Sequence, residues 1–322
     1  MLFDDYGALE LALCDRERLV HRNIKTVYYN PLYTTSTLYN LYRIVWQRIN
    51  HDLYRNHRKL LLVDGRIAFA GGTGITDEVD SPRAPGMRWR ETMLEIQGPI
   101  LGDWQQLFTE SWNKYAKQTL TLSPVSTATF ANGQQGRVTV NEARRRAGVQ
   151  RSLLKHIKAA KHRVWFATAY FIPSWSIRKR LKCAARSGID VRLLLPGPVT
   201  DHPGARYASR RYYGRLLKNR IRIYEYAPRF FHAKTVLCDN WVTIGSCNHD
   251  RWNQQWNLEA YQEINDENMA GTIADMFTDD FSNSLEVTAG EWKQRGWYPR
   301  ALEWFWRRVE LLSLKIRHRR RP

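Results

Sequence analysis

One short pattern of histidine, lysine and aspartate occurs twice in this 322-residue chain. In each copy Lys follows His by two positions and Asp follows Lys by five. The two copies are His57, Lys59 and Asp64, and His232, Lys234 and Asp239. Side chains two apart on a β-strand project from the same face, so we expect each imidazole to lie beside an ammonium group. Two such pairs facing each other suit a phosphate, with imidazole as nucleophile or proton donor and ammonium as fixed positive charge.

Phosphodiester transfer needs a nucleophile, an acid for the leaving alkoxide and positive charge for the non-bridging oxygens. Two histidines can divide the first two roles, and the residues alone do not say which takes which. An imidazole nucleophile also needs an acceptor on its far nitrogen. Glu91 and Glu259 follow their histidines by similar distances and are the candidates, the alternative being ordinary surface glutamates. Ser246 and Asn248 are candidate donors to the phosphate.

Asp64 and Asp239 stand where a strand meets a turn, a position from which a carboxylate caps backbone amides. We expect them to hold the turns rather than to touch substrate. No metal or cofactor is expected, because the lysines supply the charge that a divalent ion would bring. His249 and Asp250 are neighbours, and adjacent residues on a strand point in different directions, which argues against a metal site there.

The charge balance favours a polyanionic partner. Lys and Arg number 50 against 31 Asp and Glu, a net charge of +19. Nucleic acid and an anionic membrane surface both satisfy this charge. At 43% apolar residues the chain is globular. It contains no apolar run of about 18 residues, so no spanning helix is expected. The first residues lack the basic and apolar regions of a signal peptide.

The second half alternates between predicted helices and strands, as in an α/β fold with a mixed sheet. The predicted helices are the one marked by Val149, Leu153, Leu154 and Ile157, and those over 177–187 and 207–219. The predicted strands are 163–171, 191–195, 221–226, 232–238 and 241–245. The first half repeats a strand, turn and strand over 60–63 and 66–70, followed by Gly71 and Gly72 where the other copy has Gly245 and Ser246.

We therefore predict two similar halves, each a mixed sheet flanked by helices. The expected division is 1–121 for the first half, 122–148 for a connecting loop, 149–290 for the second half and 291–322 for a basic helix. Residues 2–5 align best with 194–197, so the first half is expected to lack a counterpart of roughly forty residues, from Val149 to about Arg192. A late start site, a gene fragment and a lost element are the alternatives.

The tail has the spacing of an amphipathic helix. Its apolar residues are Leu302, Phe305, Val309, Leu312 and Ile316, with Trp304 and Trp306 beside them and basic residues at the end. One interpretation is a helix in a membrane interface, with its basic groups on anionic headgroups. The other is a helix packed on the domain with a solvated basic end.

The paired His-x-Lys-x-x-x-x-Asp patterns, with 56–60 and 244–248 around them, resemble the phospholipase D superfamily, and within it the bacterial cardiolipin synthases of the B type. Segment 89–92 resembles the one that follows their first motif, and 257–259 the one after the second. The resemblance implies an active site between the halves, with His57 as the nucleophile that forms a phosphohistidine and His232 as general acid and then base. It also implies phosphatidylglycerol and cardiolipin as lipid partners, at the cytoplasmic face of the inner membrane.

Two positions depart from the family pattern. Gly74 stands where Asn is usual and where the second copy keeps Asn248, and Tyr261 stands where related synthases tend to have Asn. The first half thus has one phosphate-facing donor fewer. The leading hypothesis is phosphatidyl transfer that makes cardiolipin. The alternatives are a phospholipase D-type hydrolase, a nucleic-acid phosphodiesterase of the same superfamily, which the aromatic tail disfavours, and an inactive truncated homologue that binds membranes.

Overall fold

A computed structural model of the chain describes residues 1–9, 11–30, 54–76, 79, 88–116, 119–130, 132–142, 146–250 and 256–318. The helices in these ranges are α1 (Leu13–His21), α2 (Leu101–Asn113), α3 (Gly148–Ala159), α4 (Trp175–Arg186), α5 (Pro203–Arg210), α6 (Tyr213–Leu217), α7 (Glu267–Ser282), α8 (Ala289–Gln294) and α9 (Trp297–His318). The strands of the first half are β1 (Leu2–Asp4), β2 (Val27–Tyr29), β3 (Arg55–Asn56), β4 (Lys59–Val63), β5 (Ile67–Gly71) and β6 (Met93–Gln97). The remaining strands are β7 (Gln135–Glu142), β8 (Arg146–Ala147), β9 (Arg163–Ala167), β10 (Asp190–Pro196), β11 (Arg222–Tyr226), β12 (Thr235–Cys238), β13 (Trp241–Gly245), β14 (Asn257–Asn265) and β15 (Ser284–Glu286).

The second half is built on one large mixed sheet, in the order β15-β11-β10-β9-β12-β13-β14-β7-β8, with β3 paired to β14. Strands β9, β10 and β11 run parallel, β12 runs antiparallel to β9, and β12, β13 and β14 run antiparallel to one another. Apolar side chains cover both faces. One cluster joins the sheet to α3, α4 and α6, and a second joins it to α7. This confirms the predicted α/β architecture of the second half.

The first half repeats the central part of that sheet. Strands β4, β5 and β6 form an antiparallel sheet in the pattern of β12, β13 and β14, and β1 pairs with β2 in parallel as β10 does with β11. Helix α2 packs on it through Leu101, Trp104 and Leu107. In the second half β12 also pairs with β9, whereas in the described residues β4 has no strand on that edge. Leu61 is accordingly 54% exposed.

The predicted connecting loop over 122–148 is wrong in its second part. Residues 135–142 form β7, which pairs with all of β14 from Leu258 to Asn265 and so covers its edge. The sequence of this strand is mostly polar, and only Val138 and Val140 pack against apolar residues. Its alternation is confined to Val138 and Val140, which is too short a pattern to distinguish a strand from a polar loop. The predicted single helix over 207–219 is also two short helices, α5 and α6.

Helix α9 confirms the helix predicted for the tail, and the part of it whose side chains are described packs on the domain. Trp306 lies against Gly204 of α5, where even a methyl group would meet the indole. Glu303 is buried and forms ion pairs with Arg210 and Arg295. Trp304 and Phe305 remain more than half exposed. Within the described parts of the chain, no helix combines the length and the apolar character needed to cross a membrane.

Candidate active site

Backbone hydrogen bonds between the halves hold the two histidines. The segment before His57 runs parallel to the start of β14, and the His57 amide donates to the Leu258 carbonyl at 3.0 Å. In the same way, the His232 amide donates to the Arg90 carbonyl at 2.8 Å. Both histidines precede the strands that begin at Lys59 and Thr235, rather than lying within them as the spacing predicted. Each histidine is therefore positioned by a segment of the opposite half.

Each histidine also contacts the glutamate that follows the other motif. Nδ1 of His57 lies 3.0 Å from Oε1 and 3.1 Å from Oε2 of Glu259, and Nδ1 of His232 lies 2.5 Å from Oε2 of Glu91. The glutamate that follows the first motif thus contacts the second histidine, and the reverse holds for Glu259. The order of residues along the chain does not reveal this crossing, since it depends on how the halves face each other.

The crossed pairs determine which imidazole nitrogen is reactive. An ionised carboxylate only accepts hydrogen bonds, so each Nδ1 carries the proton and donates it to its glutamate. Nε2 of each ring then carries a lone pair that can attack an electrophile or take up a proton. Nε2 of His232 also lies 2.9 Å from Nζ of Lys234, which can donate to it. His57 keeps 29% of its side chain exposed, whereas only 10% of the His232 side chain is exposed.

Each lysine lies against its own histidine. Nζ of Lys59 donates to the His57 carbonyl at 2.9 Å. Nζ of Lys234 donates to the His232 carbonyl and, at 3.2 Å, to Oε2 of Glu91. Burial lowers the pKa of Lys59 to about 8 and also lowers the pKa of Lys234. Both side chains thus bring positive charge into a poorly solvated site, where its effect on a phosphate is strong.

The two motifs share one electrostatic environment. Burial lowers the pKa of His57, and the charge of Lys234 from the other motif lowers it further. Burial and the charge of Lys234 lower the pKa of His232 to about 4, with Lys59 acting in the same direction. Burial opposes ionisation of Glu91, but the charge of Lys234 and the hydrogen bond from His232 bring its pKa below the ordinary value. Both imidazoles are therefore neutral at neutral pH, and the negative charge of a bound phosphate favours their protonation.

The predicted phosphate donors occupy different positions. The Ser246 hydroxyl donates to Oε2 of Glu259 at 2.5 Å, so its proton supports the carboxylate rather than a phosphate. Asn257, which the sequence did not single out as a separate group, donates to Oε1 of the same glutamate at 3.3 Å. Asn248 is buried, and its Oδ1 has no hydrogen-bond partner among the described residues. The unpartnered Asn248 atom is an acceptor, so a hydrogen bond from this residue to a phosphate oxygen would have to come from its amide nitrogen Nδ2.

The two motif aspartates differ. The Asp239 carboxylate accepts the backbone amides of Lys161, His162 and Arg163 at 2.8 to 3.0 Å and thereby fixes the entry to β9. This is the capping role predicted for it. Asp64 adopts the same left-handed turn, with φ of 52° in both cases. Within the described residues its carboxylate has no such amides to accept, because the counterpart of β9 is absent there.

An aromatic wall that the sequence did not assign to a histidine lies beside His232. The Trp89 ring centroid is 4.7 Å and the Phe230 centroid 5.5 Å from the imidazole, and these two rings pack edge to face. Tyr170 approaches from another side, at 6.3 Å. The sequence pointed to Trp89 only as part of segment 89–92, which resembles the family segment after the first motif. In the described parts of the chain, no cluster of three or more His, Cys, Asp or Glu side chains is placed to hold a metal ion.

Two glycines of the first half give a sharp test of the Glu91 position. A Cβ at Gly72 would lie 2.3 Å from Oε1 of Glu91, whereas a Cβ at Gly74 would have no neighbour closer than 3.8 Å. We expect Gly72→Ala to push the flexible carboxylate away from His232 and to lower turnover by about 100-fold, since a displacement of about 1 Å has effects of that size. Turnover and thermal unfolding would be measured side by side.

Gly74→Ala is the matched control, because it adds the same methyl group two residues away without touching the carboxylate. It is expected to retain turnover within about twofold. Equal turnover in the two variants, with Gly72→Ala folded, would show that the Glu91 contact is dispensable.

Comparisons with known proteins agree with this geometry. A family profile described as "Cardiolipin synthase, PLD-like domain" matches residues 153–283. A cardiolipin synthase of Halalkalibacterium halodurans is 32% identical over 79% of this chain and 52% of its own length. Cardiolipin synthase 1 of Bacillus anthracis is 30% identical over 97% of this chain and 61% of its own length. The chain thus spans about half to three fifths of the length of these relatives.

A solved structure extends the likeness to nearly the whole chain. The phosphatidylserine synthase of Haemophilus influenzae Rd KW20 superposes with a TM-score of 0.69 over 97% of this chain and 80% of its own, at 11% identity, which supports the fold. The duplicated sheet and the two facing motifs agree with this fold. The chain is a member of the phospholipase D superfamily and a homologue of bacterial cardiolipin synthases.

Proposed function

We propose that this protein transfers a phosphatidyl group from one phospholipid to another, making cardiolipin from two molecules of phosphatidylglycerol and releasing glycerol. The observation that carries the proposal is the crossed pair of imidazoles, His57 on Glu259 and His232 on Glu91, with a lysine beside each. This arrangement provides two reactive Nε2 atoms and two positive charges in one site, which are the groups that double displacement at phosphorus requires.

In the first step, Nε2 of His57 attacks the phosphorus of the donor lipid. The bond from phosphorus to the glycerol headgroup oxygen breaks, and His232, in its protonated form, gives that oxygen a proton so that glycerol leaves. A phosphatidyl group remains on His57. Lys59 and Lys234 hold the non-bridging oxygens as point charges, and the Nδ2 amide group of Asn248 donates a hydrogen bond to one of them. Asp239 caps the backbone amides that lead into β9, and Asp64 occupies the matching turn in the first half.

In the second step, a hydroxyl of a second phosphatidylglycerol attacks the same phosphorus. His232, now neutral, takes the hydroxyl proton, the bond between phosphorus and His57 breaks, and both histidines return to their starting states. Water as the acceptor would give phosphatidic acid instead. Excluding water therefore decides between transferase and hydrolase, and the aromatic wall of Trp89 and Phe230 is suited to that task.

We also propose that the protein acts as a peripheral protein at the cytoplasmic face of the inner membrane. The net charge of +19 favours anionic headgroups. Helix α9 exposes four aromatic residues, Trp297, Tyr298, Trp304 and Phe305. Aromatic rings of this kind favour the membrane interface. Phosphatidylglycerol and cardiolipin are the anionic partners that this surface would meet.

The direct test uses the purified full chain with vesicles that contain phosphatidylglycerol labelled in its headgroup glycerol. Cardiolipin formation with release of labelled glycerol is the expected result. Phosphatidic acid without cardiolipin would mean that the protein is a hydrolase. Cleavage of single-stranded DNA without any reaction of lipid would replace the lipid proposal with a nuclease. The absence of any reaction in folded protein would favour the inactive, membrane-binding homologue.

A further inference from the structure

The two crossed carboxylates are held with different rigidity. Glu259 belongs to β14, which has strand neighbours on both sides, β13 and β7. Glu91 lies before β6 and outside any strand, and the backbone of its segment pairs with the second half at an isolated bridge between Arg90 and Phe231. A carboxylate on such a segment needs another anchor if it is to stay against His232.

Arg90 provides that anchor. Its Nε and Nη2 donate to Oδ1 and Oδ2 of Asp280 at 2.9 and 2.8 Å, a bidentate pair that joins the first half to α7 of the second. Its remaining nitrogen, Nη1, donates to the Glu91 carbonyl and to Oγ1 of Thr92. One guanidinium therefore fixes the backbone on which Glu91 stands, and the planar fork makes the contact directional.

The backbone of Arg90 holds the histidine as well. Its amide donates to the Phe230 carbonyl and its carbonyl accepts from the His232 amide, both at 2.8 Å. The equivalent position in the second half is Leu258, whose carbonyl accepts from the His57 amide in the same way but whose side chain is apolar. The ion pair is thus specific to the His232 side, where the strand support is missing.

We propose that Arg90, anchored by Asp280, is a positioning residue for the Glu91–His232 pair and thereby for proton transfer to and from the leaving and attacking oxygens. The kinetic part of this proposal rests on the proposed function, whereas the structural part concerns only the hydrogen bond between His232 and Glu91. Asp280 is 2% exposed, so its charge has no adequate substitute partner in water if Arg90 is removed.

The test compares Arg90→Leu, Arg90→Lys and the double variant Arg90→Leu/Asp280→Leu. Leucine is the residue that the second half has at the equivalent position. We expect Arg90→Leu to lower kcat by about 10- to 100-fold with little change in KM, and to shift the basic limb of the pH profile to lower pH, since a displaced Glu91 no longer favours protonated His232. Arg90→Lys keeps the charge but not the fork and is expected to recover only part of kcat.

The double variant separates positioning from stability. Replacing a buried ion pair by apolar residues is often neutral for stability, so this variant should unfold close to the wild-type temperature and still have the low kcat of Arg90→Leu. The His232 Nδ1 proton resonance reports the contact without any substrate, and it should move upfield or vanish in both variants. Arg206→Leu is the control, because it breaks a buried ion pair with Glu225 away from the site. It should lower stability but leave the His232 Nδ1 resonance and the basic limb of the pH profile unchanged.

Full kcat in the double variant, or an unchanged His232 resonance in Arg90→Leu, would overturn the proposal and leave Arg90 with a structural role only. If the wild-type protein shows no lipid transfer, the proposed function fails. The resonance then still decides whether Arg90 positions the pair.

Discussion

Replacing His57 with alanine is expected to lower phosphatidyl transfer by at least about four orders of magnitude, because His57 is the group that we propose carries the phosphatidyl intermediate. The measurement is cardiolipin formation from vesicles, together with rapid quenching of the reaction of phosphorus-labelled phosphatidylglycerol. Wild-type protein should retain label in an acid-labile, alkali-stable form, as expected for a phosphohistidine, and His57→Ala should retain none.

His232→Ala completes the test, because the two histidines look alike in sequence. With a phosphatidyl ester of p-nitrophenol, which leaves without a proton, His232→Ala should still become labelled on His57, whereas His57→Ala should not. The opposite result would exchange the two roles. His162→Ala is the control, since the His162 side chain is exposed and only its backbone amide contacts Asp239.

Glu259→Gln is expected to have the second largest effect, about 10³- to 10⁴-fold on kcat. Glutamine has the shape of glutamate but carries an amide that can donate to Nδ1, so it favours the tautomer in which the nucleophilic Nε2 is protonated. The Glu259 carboxylate is fully buried and also accepts from Ser246 and Asn257, so the network would have to rearrange around the amide. The measurement is single-turnover formation of the labelled enzyme.

Glu263→Gln is the matched control for this substitution. Glu263 lies four residues further along β14, is buried, and accepts from Arg137 and Trp241 rather than from a histidine. It should lower the midpoint of thermal unfolding without slowing formation of the intermediate. If both variants slowed that step equally, the effect of Glu259 would be one on folding and not on the imidazole tautomer.

The parts of the molecule that follow from local pattern were predicted well. Residues 241–245 were predicted as the strand that returns after the second motif, and β13 has these bounds. The helices marked by Val149 and by 177–187 are present as α3 and α4. Their apolar residues recur with the period of a buried face, which is information that a short stretch of sequence contains.

The features that sequence did not predict depend on contacts between distant segments. The polar strand β7 exists because it covers the edge of β14, and nothing in its own residues requires this. The pairing of Glu91 with His232 joins residues 141 positions apart, and the pair of Arg90 and Asp280 joins residues 190 apart. The sequence alone, without knowledge of how the two halves pack, does not identify such partners.

The crossing of the carboxylates also has a consequence for the newly made chain. His57 emerges from the ribosome about two hundred residues before Glu259, and Glu91 likewise precedes His232 by 141 positions. Until the second half has folded against the first, His57 lacks the carboxylate that accepts from its Nδ1. If the proposed function holds, a nascent or half-folded chain at a membrane surface is unable to cleave the phospholipids that it meets, and local separation of the halves in the mature protein abolishes activity before the protein unfolds.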